Sequence, residues 1–335
     1  MSDHRLFQPR YWPIWFAVPC ILASGLLPLP VLWGLGTALG RLAYHLAGSR
    51  RRIARRNIEL CFPELSAKEI DQLTKKHFSC LGLGLLTTGM NWGISRRRLK
   101  KLVHFYNRSY YDQALAEKRN IILLAPHFLG LELGGLAIGM EREALSLYKK
   151  LHNPVVDHLV RRGRTHFGGV LLERNAPLRP LIRLLRQGLP FYYLPDQSPG
   201  GQGLFVPFFG IPTATFPMLS RFAQLADAVV IPCFTRFMPY GRGLEIIFGP
   251  PLNPFPTGDL LADTTLMNQT IEEGIRLMPE QYFWVHRRFK RRPEGEPPLY
   301  DQQLLKRKVK RKKHPRVEAA GSNKKNSAGG KGKVL

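Results

Sequence analysis

The chain has 335 residues and carries 50 Lys and Arg against 24 Asp and Glu, a net charge of +26. That length supports a sizeable core without staples, and the four cysteines, Cys20, Cys61, Cys80 and Cys233, show neither C-x-x-C spacing nor a matched histidine pair, so a disulfide framework and a zinc site are both set aside in favour of reduced thiols in the cytosol. So large a positive charge requires an anionic partner, whether nucleic acid, phospholipid or acidic protein, and composition alone does not choose among them.

No charged residue occurs from Tyr11 to Gly40, a gap of 30 positions. About 20 apolar residues cross the hydrocarbon of a bilayer, so a membrane-spanning N-terminal helix fits. Pro19, Pro28 and Pro30 each remove a backbone donor, and the last two can bend or end the helix near its middle, which keeps a re-entrant or interfacial segment open. The stretch is too long for a signal peptide. Arg41, Arg50, Arg51, Arg52, Arg55 and Arg56 follow it while only Arg5 and Arg10 precede it, and the positive-inside rule then places everything after residue 40 in the cytoplasm. Trp12, Trp15 and Trp33 stand near the ends of the run, as interfacial anchors do.

Beyond this segment, Ser66 and Glu69 form a capping-box pattern before a helix with Ile70, Leu73, Phe78, Leu81 and Leu85 on one face. Short apolar strands then alternate with helices: strand 120–125, helix from about 129, strand 144–148, helix 177–187 opening on Pro177, strand 190–194, helix 215–226, strands 228–234 and 244–248, and a helix over about 264–278. Such alternation predicts an α/β fold with a largely parallel sheet flanked by helices, after an N-terminal membrane helix. Residues 306–335 hold twelve Lys or Arg and one acid, lack apolar periodicity and read as a disordered tail.

In such a sheet, sites form where strand C-termini meet helix N-termini. His127 falls just past the strand that begins at Asn120, and Glu132 falls in the first turns of the next helix. On one continuous helix the two would diverge by about 140°. Across a strand-turn-helix junction, with Pro126 delaying the helix, they can touch. A histidine oriented by a carboxylate is the pair that takes a proton from a hydroxyl, because an ordinary imidazole titrates at about 6.5 and the acid fixes its tautomer and stabilises the imidazolium. No G-x-S-x-G elbow or neighbouring cysteine supplies a covalent nucleophile, so the hydroxyl would attack an acyl carbonyl directly. The plainer alternative makes His127 a turn residue and Glu132 a solvated acid favoured by the helix dipole.

The segments "NIELCFPELS" (57–66), "HFLGLELGG" (127–135), "LPDQSPGGQG" (194–203), "VPFFGIPTAT" (206–215) and "PEQYFWVHRRFKRRPEGEPPLY" (279–300) resemble the late acyltransferases of lipid A biosynthesis over roughly residues 10–300. The resemblance implies a membrane anchor over residues 1–48, an acyltransferase domain over 49–300 and the basic tail over 301–335. It implies an inner-membrane enzyme, its catalytic domain on the cytoplasmic side, that needs no cofactor or metal. Such an enzyme moves a fatty acyl chain from acyl carrier protein to a hydroxyacyl hydroxyl of the Kdo-bearing lipid A precursor. His127 and Glu132 match that family's catalytic dyad, and Arg164, Arg174 and Asp196 stand where it carries matching residues. The two arginines suit acceptor phosphates or the developing oxyanion, or serve structure alone, and Asp196 either joins the site, anchors an arginine or forms a turn.

One departure is the "SPGGQG" loop after Asp196 and Gln197, where the family often has an acidic or aromatic pair. His152, His158 and His166 fit no common metal spacing and read as surface or packing residues. In "QYFWVHRRFKRR", Tyr282, Phe283 and Trp284 suit either insertion at a bilayer, with Arg287, Arg288, Lys290, Arg291 and Arg292 facing lipid phosphates, or a core cluster. Two rival functions stand beside the first: an acyltransferase with the same dyad acting on another phospholipid or glycolipid, and a membrane-tethered polyanion or nucleic-acid binder using the tail. The body shows no RNP, helix-turn-helix or zinc-finger pattern, so nucleic acid has only the tail to recommend it and is not expected as a partner.

Overall fold

The structure, a computed structural model, describes residues 6–199 and 203–301; the basic tail and residues 200–202 of the "SPGGQG" loop lie outside them. The uncharged N-terminal stretch forms two helices, α1 (Trp12–Leu26) and α2 (Leu29–Leu46). Between them Leu27 is extended, with φ −66° and ψ 144°, as a residue before proline must be. The expected membrane-spanning helix is therefore corrected: among the described residues no helix is long and apolar enough to cross a membrane. With no span, the charge bias across it no longer fixes sidedness.

The two helices are built into the body. Helices α3 (Gly48–Cys61) and α4 (Ala67–Leu86) follow, and α4 opens on the expected box, Ser66 N–H donating to Glu69 at 2.8 Å and Glu69 N–H to Ser66 Oγ at 3.4 Å. Helix α2 crosses α4 at backbone contact: a Cβ on Gly40 would run into the Phe78 carbonyl, and one on Gly82 into the Gly36 carbonyl. After α5 (Thr88–Gly93) comes the basic helix α6 (Arg96–Leu102). Arg98 donates to the Gly25 and Leu27 carbonyls, satisfying the end of α1 where the chain breaks.

The sheet comprises β1 (Val103–Tyr106), β2 (Asn120–Leu124), β3 (Ala144–Tyr148), β4 (Gly169–Glu173), β5 (Phe191–Tyr193), β8 (Ala228–Phe237) and β9 (Leu244–Phe248). Their order is β1-β9-β8-β2-β5-β3-β4, parallel throughout except for the β8–β9 pair. Separately, β6 (Leu204–Phe208) and β7 (Ile211–Thr215) make a hairpin. Helices α7 (Ser109–Ala116), α8 (Leu131–Glu141), α9 (Pro154–Arg164), α10 (Leu178–Arg186), α11 (Met218–Ala226) and α12 (Leu260–Leu277) complete the fold. Strand β2 is buried from Ile121 to Leu124, as a central parallel strand covered on both faces requires. One apolar cluster, with Ile122, Leu124, Phe191 and Phe222, lies on one side of it; another, with Ile121, Leu123, Leu136 and Ile138, lies on the other.

The "QYFWVHRRFKRR" segment takes the core alternative. Tyr282, Trp284, Phe289 and Arg288 are all buried, so insertion into a bilayer is ruled out for those rings. Asn57 on α3 holds this strap by donating to the Trp284 and His286 carbonyls at 2.6 and 2.7 Å, while Tyr300 donates to Asn57 Oδ1 at 2.5 Å.

Because α2 and α4 meet through backbone, Gly82→Leu is expected to lower stability by about 3 kcal/mol or more, an overpacking cost at the upper end of the usual range. Gly34→Leu, where a Cβ meets nothing within 4 Å, should leave the melting temperature unchanged; thermal unfolding of both variants in detergent checks this.

Candidate active site

Strands β2 and β5 are parallel neighbours in the register Leu124↔Tyr193. Each runs into an X-Pro pair, Ala125-Pro126 and Leu194-Pro195, and proline cannot donate to a ladder, so both strands stop there. The residues that follow, His127 and Asp196, come out level. Asp196 Oδ1 lies 2.6 Å from His127 Nδ1, and Oδ2 accepts the His127 main-chain N–H at 3.0 Å. The Asp196 side chain is 1% exposed and that of His127 is 23% exposed. Burial pushes the Asp196 carboxyl up, but His127 outweighs it through charge and hydrogen bonds and holds it down at about 2. An ionised acid on Nδ1 requires the proton to sit there, which leaves the lone pair on Nε2.

Glu132 occupies the first turn of α8, where the helix dipole favours an acid, and Arg164 the last turn of α9, where it favours a cation. They form a two-point pair, Arg164 Nε donating to Glu132 Oε2 at 2.9 Å and a terminal guanidinium nitrogen donating to Oε1. Burial lowers the Arg164 pKa, and Glu132 more than restores it, so the guanidinium ends above its ordinary value. The structure therefore gives His127 a different acid from the one the spacing suggested. Asp196 holds the ring, and Glu132 is held by Arg164, because the turn from Phe128 to Gly130 carries Glu132 into the reach of α9.

Both acids' partners converge on one cavity of about 950 Å³ at the C-terminal ends of β2, β3, β4 and β5. His127, Glu132 and Arg164 line it, with Arg174 just past β4 and Lys149 just past β3. Apolar side chains, including Leu136, Leu147, Leu181, Met218 and Phe222, make up much of the rest, together with Ser146, Asp157, Glu173, Asn175 and Gln197. Asp196 does not line it; it stands behind the histidine. Lys149 escaped the sequence reading, although its place directly after the strand 144–148 was a usable signal. Of the three histidines set aside earlier, His166 makes a 3.1 Å contact from Nε2 to the Ile94 carbonyl.

An amide at position 196 has one acceptor where two donors arrive, so Asp196→Asn should force the imidazole into the other tautomer. Turnover is expected to fall by on the order of 10³-fold or more, the scale seen when a buried acid behind a catalytic histidine is replaced, and nitrogen NMR should show the proton moved from Nδ1 to Nε2.

The family model described as bacterial lipid A biosynthesis acyltransferase matches residues 2–291. Similar curated proteins of Escherichia coli (strain K12) include a lipid A biosynthesis lauroyltransferase, 36% identical over 297 residues that cover 88% of this chain and 97% of the relative. A lipid A biosynthesis palmitoleoyltransferase is 34% identical over 303 residues, covering 89% and 97%. A lipid A biosynthesis myristoyltransferase is 28% identical over 296 residues, covering 88% and 92%.

Proposed function

The chain belongs to the bacterial lipid A biosynthesis acyltransferase family and is an acyltransferase, and from that premise we propose that it moves a fatty acyl chain from the thioester of acyl carrier protein to a hydroxyacyl hydroxyl of the Kdo-bearing lipid A precursor. The observation that carries this reading is an imidazole, fixed through Nδ1 by a buried carboxylate, in the wall of a cavity lined by both charged and apolar side chains. His127 Nε2 takes the proton of the acceptor hydroxyl as its oxygen attacks the thioester carbonyl. The C–O bond forms, the C–S bond breaks, and the proton passes from His127 to the leaving thiolate. Asp196 stabilises the imidazolium formed in between. Glu132, locked by Arg164, faces the same cavity and orients the reacting groups, while Arg174 and Lys149 at the rim suit acceptor phosphates. The apolar wall suits the acyl chain.

The same reading seats the protein in the plane of an anionic bilayer. Trp12, Phe16, Leu22 and Leu26 on α1 and Val31, Leu35, Leu42 and Leu46 on α2 are exposed, joined by Tyr240 on the β8–β9 turn. Arg41 and Arg52 are exposed close to this surface in sequence, and the break between α1 and α2 is sealed by Arg98 of the basic helix α6, a poor fit to the middle of a hydrocarbon layer. Both sides of the break then stay on the cytoplasmic face.

His127→Ala is expected to abolish acyl transfer, and Glu132→Ala to cut it by at least about 10²-fold, the lower range for a positioned acid or base, with vesicle binding kept in both. Full turnover by either variant removes that residue from the mechanism. Mass spectrometry of lipid A from cells with and without the protein should show one secondary acyl chain missing; an intact lipid A with altered phospholipids would favour the rival acceptor. For the in-plane seat, Phe16→Asp with Leu26→Asp should release the protein from vesicles containing anionic phospholipid, and a thiol probe restricted to the periplasm should fail to label Phe7→Cys.

A further inference from the structure

Helices α10 and α11 both begin at the large cavity: Leu178 and Leu181 of the one and Met218 and Phe222 of the other line it. They end together, where Arg186 donates to the Leu225 carbonyl from Nε at 3.1 Å and from a terminal nitrogen at 2.7 Å. Neither helix contains an acidic residue, and their outer surface is basic. Arg179, Arg183 and Arg186 are exposed at spacings of four and three, which sets them within about 60° of arc on α10. Arg221 is exposed on α11.

Among the described residues, Arg179, Arg183 and Arg221 have no hydrogen bond or ion pair, and Arg186 has only the Leu225 carbonyl. The flanking acids in the sequence are Glu173, which accepts the Tyr148 hydroxyl at 3.2 Å, and Asp227, just past the end of α11. Like charges four apart on a helix repel, so this stripe costs the free protein stability that a counter-charge would restore. A guanidinium fork takes a carboxylate in two-point contact, which a set of unpaired arginines is ready to do.

We propose that this stripe is the docking surface for the acidic carrier protein that brings the acyl thioester, whose flexible arm enters the cavity past Leu178. That side chain is 37% exposed and lines the cavity, so it stands at the rim. The proposal rests on a carrier protein being the donor.

The direction of the stripe favours a soluble protein over a bilayer as its occupant. Tyr240 follows the C-terminal end of β8, and beside it a Cβ on Gly241 would strike the Leu29 carbonyl at the start of α2. The apolar surface of α2 and Tyr240 therefore begins at the same end of the sheet as the cavity, since β8 and β5 both run parallel to β2. Helix α10 is the crossover between β4 and β5, which both run parallel to β3, and so it descends from that end to the other. Arg186 lies about 10 Å beyond Arg179 along it. A bilayer seated on α1, α2 and Tyr240 leaves the Arg186 end in water, whereas a protein docked beside the bilayer reaches the whole stripe.

The test combines Arg179→Glu, Arg183→Glu and Arg221→Glu in the full chain and compares two donors bearing the same acyl chain: acyl carrier protein, and the thioester of pantetheine, which has no protein to dock. With the carrier protein, kcat/KM is expected to fall about tenfold or more through KM, with kcat kept at saturation, while turnover of the pantetheine thioester is unchanged. In the wild type, added salt should lower kcat/KM for the carrier protein and leave it level for the pantetheine thioester, an arm that needs no variant to fold. An equal loss with both donors, or no loss with the carrier protein, overturns the proposal. Release of the variant from vesicles containing anionic phospholipid, with its KM for the carrier protein unchanged, overturns it in favour of the bilayer. A wild type that turns over the pantetheine thioester and ignores the carrier protein overturns instead the donor assignment on which the proposal rests.

Discussion

The buried, ionised carboxylate of Asp196 is the constraint on which the site depends. A charge with 1% side-chain exposure is costly to desolvate and is held only by donors brought to it. Two come from His127, placed by the level ends of β2 and β5, and Tyr282, more than 80 residues further along the chain, helps wall a small void beside the pair. The strap bearing Tyr282 is in turn fixed by Asn57 on α3, itself held by Tyr300. Segments from three distant parts of the sequence must dock before the acid is enclosed. Formation of the His127 imidazole's environment is thus coupled to completion of the fold, and no fragment ending before the strap would contain this cluster whole.

That coupling explains what could be read beforehand. The alternation of strands and helices, the capping box at Ser66 and the strand 144–148 follow from local pattern, and the structure has them nearly where the pattern put them. His127 was placed correctly at a strand end. Its acid partner was not, because spacing of five residues says only that contact is allowed, whereas the choice between Glu132 and Asp196 depends on which strand lies beside β2. The repeated strand, X-Pro, polar residue pattern at Ala125-Pro126-His127 and Leu194-Pro195-Asp196 carried that information, and becomes legible once the two strands are known to be neighbours. Helix α9 also went unread, although Asn153 caps it and Pro154 opens it; its many cations and the nearby histidines obscured a short apolar face of Val155 and Leu159.

The N-terminal segment shows a different limit. Mean apolarity over 30 residues is the same whether the outer faces meet lipid or the inner faces meet protein. What separates the cases is the glycine seam: Gly36 and Gly40 are small where α2 meets α4, and Gly82 is small on the facing side. A free transmembrane helix has no need of such a match with a helix in the catalytic body. The three prolines pointed the same way, since a kink at Pro28 requires new partners for the carbonyls before it, and Arg98 supplies them.

Two acids near one imidazole would ordinarily compete for the same proton, and the fold keeps their tasks apart by burial and by partner. Asp196 stands behind the ring, held ionised and out of the large cavity. Glu132 is about one-third exposed and lines that cavity, but its charge is matched in two-point contact by Arg164. The cavity lining also sets Lys149 and Arg174 against Asp157 and Glu173, so with Glu132 matched by Arg164 its acids and bases balance one for one. The arginine thus does more than hold an acid in place: by matching Glu132 it leaves His127 facing the cavity with no unpaired carboxylate from α8 beside it, while the histidine's own negative partner is hidden behind it.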